Sequence, residues 1–576
     1  MEMGLGTGTV TVVGRDRLTL ETADRRKPES GRSRLRLAMG MFALGYAAIA
    51  LRLIVLAATP QAAAAYGYSA EQALAATRPE ILDRNGDILA TDIKTPSLYA
   101  DPRQIIDAED AIDQLVQVLP GLNTDRLRAD LKSGRSFVFV RREMTPAQQA
   151  AVHEMGIPGL GFVEENRRIY PSGATASHVL GHVGVDHTGL AGIEKYMDSQ
   201  GLAALHEAGF AVGRGQEPVR LSIDLRVQHA VRAELAAAIE RFQAEAAAGI
   251  VLDAHSGEIL ALVSLPDYDP NSGAEALDPD RLNRITAGVF EMGSTFKVFT
   301  TAMALDEGVA TLTDSYDASR PIRVASFTID DYHGKHRRLS VPEIFIYSSN
   351  IGAARMALDV GPERHRAFLR RLGLFDRLDT ELPESASPLV PAKWREITTM
   401  TAAFGHGISV TPLQMASGLA ALVNGGDLVA PTLLPRSRAE ARALARPVIK
   451  PQTSEAMRYL MRLNVEKGTA TKAEAEGYRV GGKTGTAEKI VDGRYAKNRL
   501  LTSFAGAFPM DDPQYVVLVM LDEPKGSAET SGYATAGWNA APLTAQIVRR
   551  IAPMLGIAPR FQRPDGGIGQ AINVSF

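Results

Sequence analysis

The chain has 576 residues, room for about three or four domains, and 45% hydrophobic and 22% charged content, which is ordinary for globular material. A formal net charge of −3, with no Lys/Arg-rich block beyond the amino end, gives no footing for a nucleic-acid partner. The absence of cysteine excludes disulfides, thiolate catalysis and Cys-based zinc sites, and leaves the compartment open.

Residues 1–36 are polar and rich in Arg, Gly and Thr, the composition of a disordered tail. Leu37 to Leu51 is uncharged and mostly apolar. Arg52 interrupts the run and Leu53 to Ala58 resumes it, so 37–58 makes about one membrane-spanning helix. Arg25, Arg26, Lys27, Arg32, Arg34 and Arg36 precede it, whereas only Glu71 is charged between Arg52 and Arg78. That asymmetry keeps the tail in the cytoplasm and sends the rest outward, with Arg52 near enough to the outer end to snorkel. Ala62–Ala65 offers small residues for signal cleavage. The long apolar run and the long tail before it favour an uncleaved anchor. Residues 59–77, Ala-rich and polar, read as a stalk.

From Arg78 the character changes. Ile81 to Ala90 is two short apolar runs around Asn85-Gly86, a strong hairpin signal. Residues 107–154 alternate helix-like runs with short loops, and Gly173, Gly181, Gly184, Gly189 and Gly192 punctuate an irregular stretch. Val219–Ile223 predicts a strand. Residues 78–225 form one non-catalytic module. Leu225–Phe242, with apolar residues at helical spacing, opens a second over 226–555. There Ala248–Leu252 and Glu258–Val263 predict one hairpin, and Thr502–Phe508 and Tyr515–Leu521 another. Mainly helical segments lie between. One of these has Thr411 as cap, Pro412 in the first turn and Gly425 beyond its end. Strands at both ends with helices between give an α+β domain, an antiparallel sheet flanked by helices. Residues 556–576 are a C-terminal tail.

Three motifs carry chemistry. In Ser294-Thr295-Phe296-Lys297, serine and lysine three apart share one face of a helix starting near Ser294. A serine hydroxyl needs a base, and a buried lysine of depressed pKa at a helix start can serve. Ser348-Ser349-Asn350 lies in a predicted loop, where Ser348 can relay a proton and Asn350 can hold Lys297 and a peptide carbonyl. Its bland reading is a helix cap. Lys483-Thr484-Gly485-Thr486 offers an ammonium and two hydroxyls to a carboxylate. Gly485 lets a ligand approach the backbone, and the Thr486 amide could join that of Ser294 in an oxyanion hole. Each motif alone is common; their order is what is specific.

Gly477 to Thr484 also fits the phosphate-loop pattern G-x-x-x-x-G-K-[ST]. That loop needs a buried strand before it and a helix after it. Lys472–Glu476 is no buried strand, and Gly485 with Asp492-Gly493 leaves no room for a long helix. The few histidines are scattered, no H-E-x-x-H occurs, and no metal or other cofactor is indicated. Trp394 and Trp538 read as packing residues.

At this point the chain resembles class B penicillin-binding proteins. The likeness rests on the three motifs and on Arg84-Asn85-Gly86, Arg167-Arg168-Ile169-Tyr170-Pro171, Gly189-Leu190-Ala191-Gly192-Ile193-Glu194, Phe290-Glu291-Met292-Gly293-Ser294 and Gly405-His406-Gly407. Met292 stands where proline is expected and Pro79 where glycine is expected. Gly537-Trp538-Asn539-Ala540-Ala541-Pro542 is most similar to the division-specific branch. The resemblance implies a transpeptidase domain on an elongated pedestal, one membrane anchor, and a periplasmic D,D-transpeptidase of the inner membrane. Ser294 would attack the penultimate D-Ala carbonyl of a peptidoglycan stem peptide. Lys297 would act as base, Ser348 and Asn350 would pass the proton on, and Lys483, Thr484 and Thr486 would hold the terminal carboxylate. β-Lactams would acylate Ser294, and a membrane glycosyltransferase and other division proteins would be partners. A hydrolytic β-lactamase or carboxypeptidase, a non-enzymatic anchored scaffold and an elongation-type enzyme are the rival readings.

Overall fold

The computed structural model describes residues 39–47, 49–50, 77–202, 217–324, 327–491 and 493–561. The expected tail 1–36 lies outside them, as do half of the expected span 37–58 and most of the stalk 59–77 and C-terminal tail 556–576. Residues 39–47 and 49–50 are helical. Among the described residues no helix is long and apolar enough to cross a membrane.

The first module is built on a twisted sheet. Strands β1 (Ile81–Leu82) and β2 (Ile88–Ala100) pair antiparallel, as the Asn-Gly signal predicts. Fully buried Asp83 fixes their turn by accepting from the amides of Asn85 (2.7 Å) and Asp87 (2.9 Å), and Gly86 takes φ +99° there. Helices α1 (Ala108–Val118) and α2 (Thr124–Leu131) are capped by Asp107 and Asn123. They are followed by β3 (Val138–Arg141), α3 (Pro146–Glu154) with a Thr145 capping box, β4 (Leu160–Ile169) and, much later, β5 (Val219–Arg220). The strand order is β3-β2-β1-β5, with β4 also on β2. Two of the quoted signatures meet in a buried ion-pair network. Arg168 donates to Glu194 (2.7 Å) and Asp92 (3.2 Å), and Arg78 donates to the other Glu194 oxygen (2.8 Å). Removing one member would strand a buried charge, at a cost of about 3–5 kcal/mol.

The second module opens with α4 (Leu225–Phe242), capped by Asp224. Strands β6 (Ala246–Asp253) and β7 (Ile259–Leu265) form the first hairpin. Then come α5 (Lys297–Asp306), α6 (Val341–Tyr347), α7 (Asn350–Val360), α8 (Pro412–Val423) and α9 (Pro451–Lys467). The chain closes the sheet with β8 (Gly481–Val491), β9 (Arg494–Phe508) and β10 (Tyr515–Asp522), and ends in α10 (Ala540–Ile551). The order β8-β9-β10-β6-β7 is antiparallel throughout, so β8 is an edge strand.

Period-two alternation gives this sheet two buried faces. Val516, Leu518 and Met520 of β10 join a core with Phe299 of α5 and Leu419 of α8. Val517, Val519 and Leu521 join another with Leu235 of α4 and Ile547 of α10. Each such side chain contributes about 1.5–3 kcal/mol on burial. Helix α8 carries the expected Thr411 capping box and is buried along its whole length, which its nearly all-apolar sequence requires. Helix α8 packs on the sheet and on α5, and the turn that leads into α5 lies against edge strand β8.

Candidate active site

The segment Gly293–Phe296 is a short 3-10 turn that runs directly into α5, with Lys297 as the first α-helical residue. Ser294 and Lys297 therefore share a face, as their spacing predicts. Lys297 is 1% exposed and Lys483 is 0% exposed. Lys297 Nζ lies 3.0 Å from Ser294 Oγ, 3.1 Å from Ser348 Oγ, 2.6 Å from the Ser348 carbonyl and 2.7 Å from Asn350 Oδ1. Lys483 Nζ donates to Ser348 Oγ from the other side, at 2.9 Å. Three motifs far apart in sequence thus converge on one hydroxyl.

Burial pushes the Lys297 pKa well down, and the charge of Lys483 pushes it the same way. Burial alone brings Lys483 down to about 7. Lys297 is consequently predisposed to be a neutral amine beside Ser294, whereas a bound anion would hold the proton on Lys483.

Ser348 and Asn350 sit at a tight junction between two helices rather than in an open loop. Ser348 ends α6 in the left-handed region (φ +59°), a conformation costing a non-glycine residue about 1–2 kcal/mol. Ser349 caps α7 by accepting from the Gly352 amide, so the bland capping reading is true of the middle residue. Asp331 accepts from Ser349 Oγ (2.7 Å) and the Ile351 amide (3.0 Å), and the Asp330 carbonyl accepts from Asn350 Nδ2 (2.9 Å). These contacts fix the strained junction.

Residues Lys483 to Thr486 lie in edge strand β8, paired with Thr502–Ala505 of β9, which excludes the phosphate-loop geometry. Thr484 and Thr486 share one face of the strand. Thr484 Oγ1 is 2.8 Å from Thr469 Oγ1, and Thr486 Oγ1 accepts from the Ala536 amide at 3.1 Å. Gly485 is closely packed where a side chain would stand. A Cβ there would lie 2.6 Å from the Met292 carbonyl and 2.8 Å from both Ser503 Oγ and Thr295 Cγ2. The room on that side is taken by the protein, and Gly485 lets β8 close onto the turn that carries Ser294. A Cβ on Gly293 would lie 3.0 Å from the Thr486 carbonyl, so the two backbones pack side by side.

The comparisons with known proteins fit this geometry. Residues 247–549 match the penicillin-binding protein transpeptidase domain, and residues 73–203 match the penicillin-binding protein dimerisation domain. The chain is a class B penicillin-binding protein. It is 41% identical over 564 residues to the probable peptidoglycan D,D-transpeptidase FtsI of Caulobacter vibrioides, covering 94% of each chain. It is 33% identical over 513 residues to the probable peptidoglycan D,D-transpeptidase PenA of Neisseria gonorrhoeae, covering 85% of this penicillin-binding protein and 86% of that one. For peptidoglycan D,D-transpeptidase FtsI of Escherichia coli K12 the identity is 29% over 496 residues, with 81% and 82% covered. Penicillin-binding protein 3 of Mycobacterium tuberculosis, solved with aztreonam, shares the fold at a TM-score of 0.64 and 24% identity. It covers 84% of this chain and 97% of its own.

Several neighbours of the site carry no sequence signal of their own. Fully buried Asn464 of α9 donates to the Gly482 carbonyl (2.8 Å) and accepts from the Thr469 amide (3.2 Å), steadying β8 from behind. Asp331 and Thr469 stand outside every motif, and only tertiary contact reveals them. Trp394 is a packing residue, as expected. Trp538 is stacked under Tyr533 (ring centroids 5.4 Å apart) with Lys472 on its ring.

Proposed function

We propose that this penicillin-binding protein is a membrane-anchored peptidoglycan D,D-transpeptidase that crosslinks stem peptides in the septal wall, through an acyl-enzyme on Ser294. The contact of Lys297 Nζ with Ser294, Ser348 and Asn350 together carries this reading. A neutral Lys297 amine accepts the Ser294 proton while Oγ attacks the penultimate D-Ala carbonyl. The proton passes through Ser348 to the departing amine of the terminal D-Ala. Lys483, with Thr484 and Thr486, holds the substrate's terminal carboxylate, and Asn350 orients Lys297 and a substrate carbonyl. The amides of Ser294 and Thr486 receive the developing oxyanion. An amine from a second stem then attacks the ester carbonyl, an amide forms, and the proton it sheds returns to Ser294 Oγ. Edge strand β8 has outward backbone groups on which an extended stem can lie as an added strand.

A β-lactam presents the same carbonyl and carboxylate and stops at the acyl-enzyme. The pedestal over 78–225 and the apolar run at 37–58 support a periplasmic domain tethered to the inner membrane over a cytoplasmic tail. The likeness to FtsI proteins supports the septal role and, with it, partnership with a membrane glycosyltransferase and other division proteins. Intact-mass measurement after penicillin treatment tests the chemistry. One persistent adduct on Ser294, absent from Ser294→Ala, is expected. Rapid loss of the adduct would identify a hydrolase instead, and no adduct a scaffold. A fluorescent fusion gathering at midcell is expected; side-wall labelling would assign the enzyme to elongation.

A further inference from the structure

Glu291 lies three residues before Ser294, immediately ahead of the nucleophile turn. Its half-buried carboxylate accepts from the Gly407 amide at 2.9 Å and from the Tyr495 hydroxyl at 3.2 and 3.1 Å. Both donors are neutral. Burial pushes its pKa up, and no cation acts on it among the described residues. Carboxylates withdrawn from water are ordinarily paired with a cation. Among the described residues this one stands without one, and there Oε2 accepts only from Tyr495.

The walls of this corner come from separate elements. Tyr495, at the outer end of β9, stacks on His406 with ring centroids 5.6 Å apart and planes 28° apart. His406 lies in the turn Gly405–Gly407, which presses on the nucleophile segment. A Cβ on Gly405 would fall 2.3 Å from the Gly293 carbonyl. Burial, and then the charge of Lys297, brings the His406 pKa to about 4. The imidazole is therefore neutral near pH 7 and does not supply the missing cation.

The crosslinking reaction brings one cationic class of group to this site, an amine. The charge that Lys483 carries when it holds a carboxylate repels the amine from the carboxylate-binding side. We propose that Glu291, walled by Tyr495 and His406, binds the ammonium group of a stem peptide. The inference rests on the transpeptidase reading and extends it to the charge of the substrate. Opposite charges of the substrate are then held by opposite charges of the protein. The ammonium has two sources, the side chain of the donor stem or the amine of the acceptor stem, which must first give one proton to the Glu291 carboxylate and then attacks as the free amine.

The test uses the full chain in detergent. In the donor arm, Nα-acetyl-L-Lys-D-Ala-D-Ala is compared with its Nα,Nε-diacetyl form, and the ratio of their kcat/KM values is read. In the acceptor arm, the diacetyl donor is used with a stem tripeptide bearing a free side-chain amine, and the ratio of crosslinked to hydrolysed product is read. Glu291→Gln keeps the shape and an oxygen acceptor. It should lower one ratio by about fivefold or more, the loss of a charge-assisted contact, and Glu291→Asp should restore part of it. The arm that falls names the source. Unchanged ratios in both arms overturn the proposal. Penicillin labelling of Ser294 is followed in the same samples. An unlabelled wild type overturns the transpeptidase reading instead, whereas labelling with unchanged ratios overturns only the ammonium site. Should Glu291→Gln fail to label, salt decides on the wild type alone. The affected ratio should fall as ionic strength rises from about 0.05 to 0.5 M. No salt response in either arm sinks the proposal.

Discussion

Ser348 Oγ receives Lys483 Nζ at 2.9 Å, and the same oxygen lies 3.1 Å from Lys297 Nζ, so one hydroxyl bridges two buried lysines. Such a bridge can carry a proton from the side of the nucleophile to the leaving group. Ser348→Ala removes the relay but leaves Ser294 and Lys297 in contact. Acylation by penicillin, followed by stopped-flow fluorescence or gel labelling, should slow by roughly 10²–10⁴-fold. The adduct mass should be unchanged. A variant that acylates at the wild-type rate would remove Ser348 from the proton path.

The proposed mechanism requires opposite protonation states of the two lysines, which gives the reaction a two-sided pH dependence. Lys297 must be neutral. Its folded pKa is depressed by burial and by Lys483, so activity is lost as pH falls through that value. Lys483 must keep its charge to hold a carboxylate, and burial brings it to about 7, so activity is lost as pH rises past that point in the free enzyme. The profile of kcat/KM against pH should be bell-shaped for a donor with a free terminal carboxylate. A donor amidated at that carboxylate should lose the alkaline limb. The same alkaline limb with both donors would show that Lys483 does not report on carboxylate binding.

His365 offers a pH test unrelated to the reaction. It is fully buried, neither ring nitrogen has a hydrogen-bond partner among the described residues, and the ring packs edge-on against Trp394 at 5.4 Å. Burial lowers its pKa to about 3, against about 6.5 in an unfolded chain. Between these values the unfolded state binds the extra proton. Stability is therefore complete above the unfolded value and falls as pH drops, by up to about 1.4 kcal/mol per unit. Urea unfolding of His365→Phe between pH 4 and 7 should show a shallower loss, whatever the absolute cost of refitting the larger ring. Parallel pH slopes in the two proteins would contradict this.

The sheet and its covering helices were legible because their signals are local. Leu225–Phe242 is helical over the range its periodicity indicates. The strands around 248–263 and 502–521 pair as hairpins. The Thr411-Pro412 cap opens α8. The three motifs were legible by order, which no single one carries. Asp331, Thr469 and Tyr495 were not, because each reaches the site by folding onto it from a segment with no pattern of its own. The Ser348 junction looked like a loop because the contacts that hold Asn350 and Ile351 beside it come from residues 330–331, a constraint absent from local sequence. The close packing at Gly485 was not legible for a related reason. Sequence shows that a side chain is missing but not what fills its place.

That filling makes Gly485 a test of how closely the nucleophile turn and β8 must approach. Alanine at 485 would set its Cβ 2.6 Å from the Met292 carbonyl and 2.8 Å from Ser503 Oγ. The carbonyl belongs to backbone and cannot swing aside, so β8 must move away from the turn. Overpacking of this kind costs about 1–3 kcal/mol, too little to unfold a large domain. Yet β8 carries Lys483, Thr484 and Thr486, and an error of about 1 Å in position costs roughly 10²-fold in rate. Gly485→Ala should therefore lose about that much penicillin acylation while its thermal midpoint drops only a few degrees. Adding Thr295→Ser removes Cγ2, which lies 2.8 Å from the new methyl, but leaves the Met292 carbonyl in place, so the double variant should stay slow. Full recovery in the double variant would mean that side-chain crowding, and not the approach of two backbones, sets the spacing of the site.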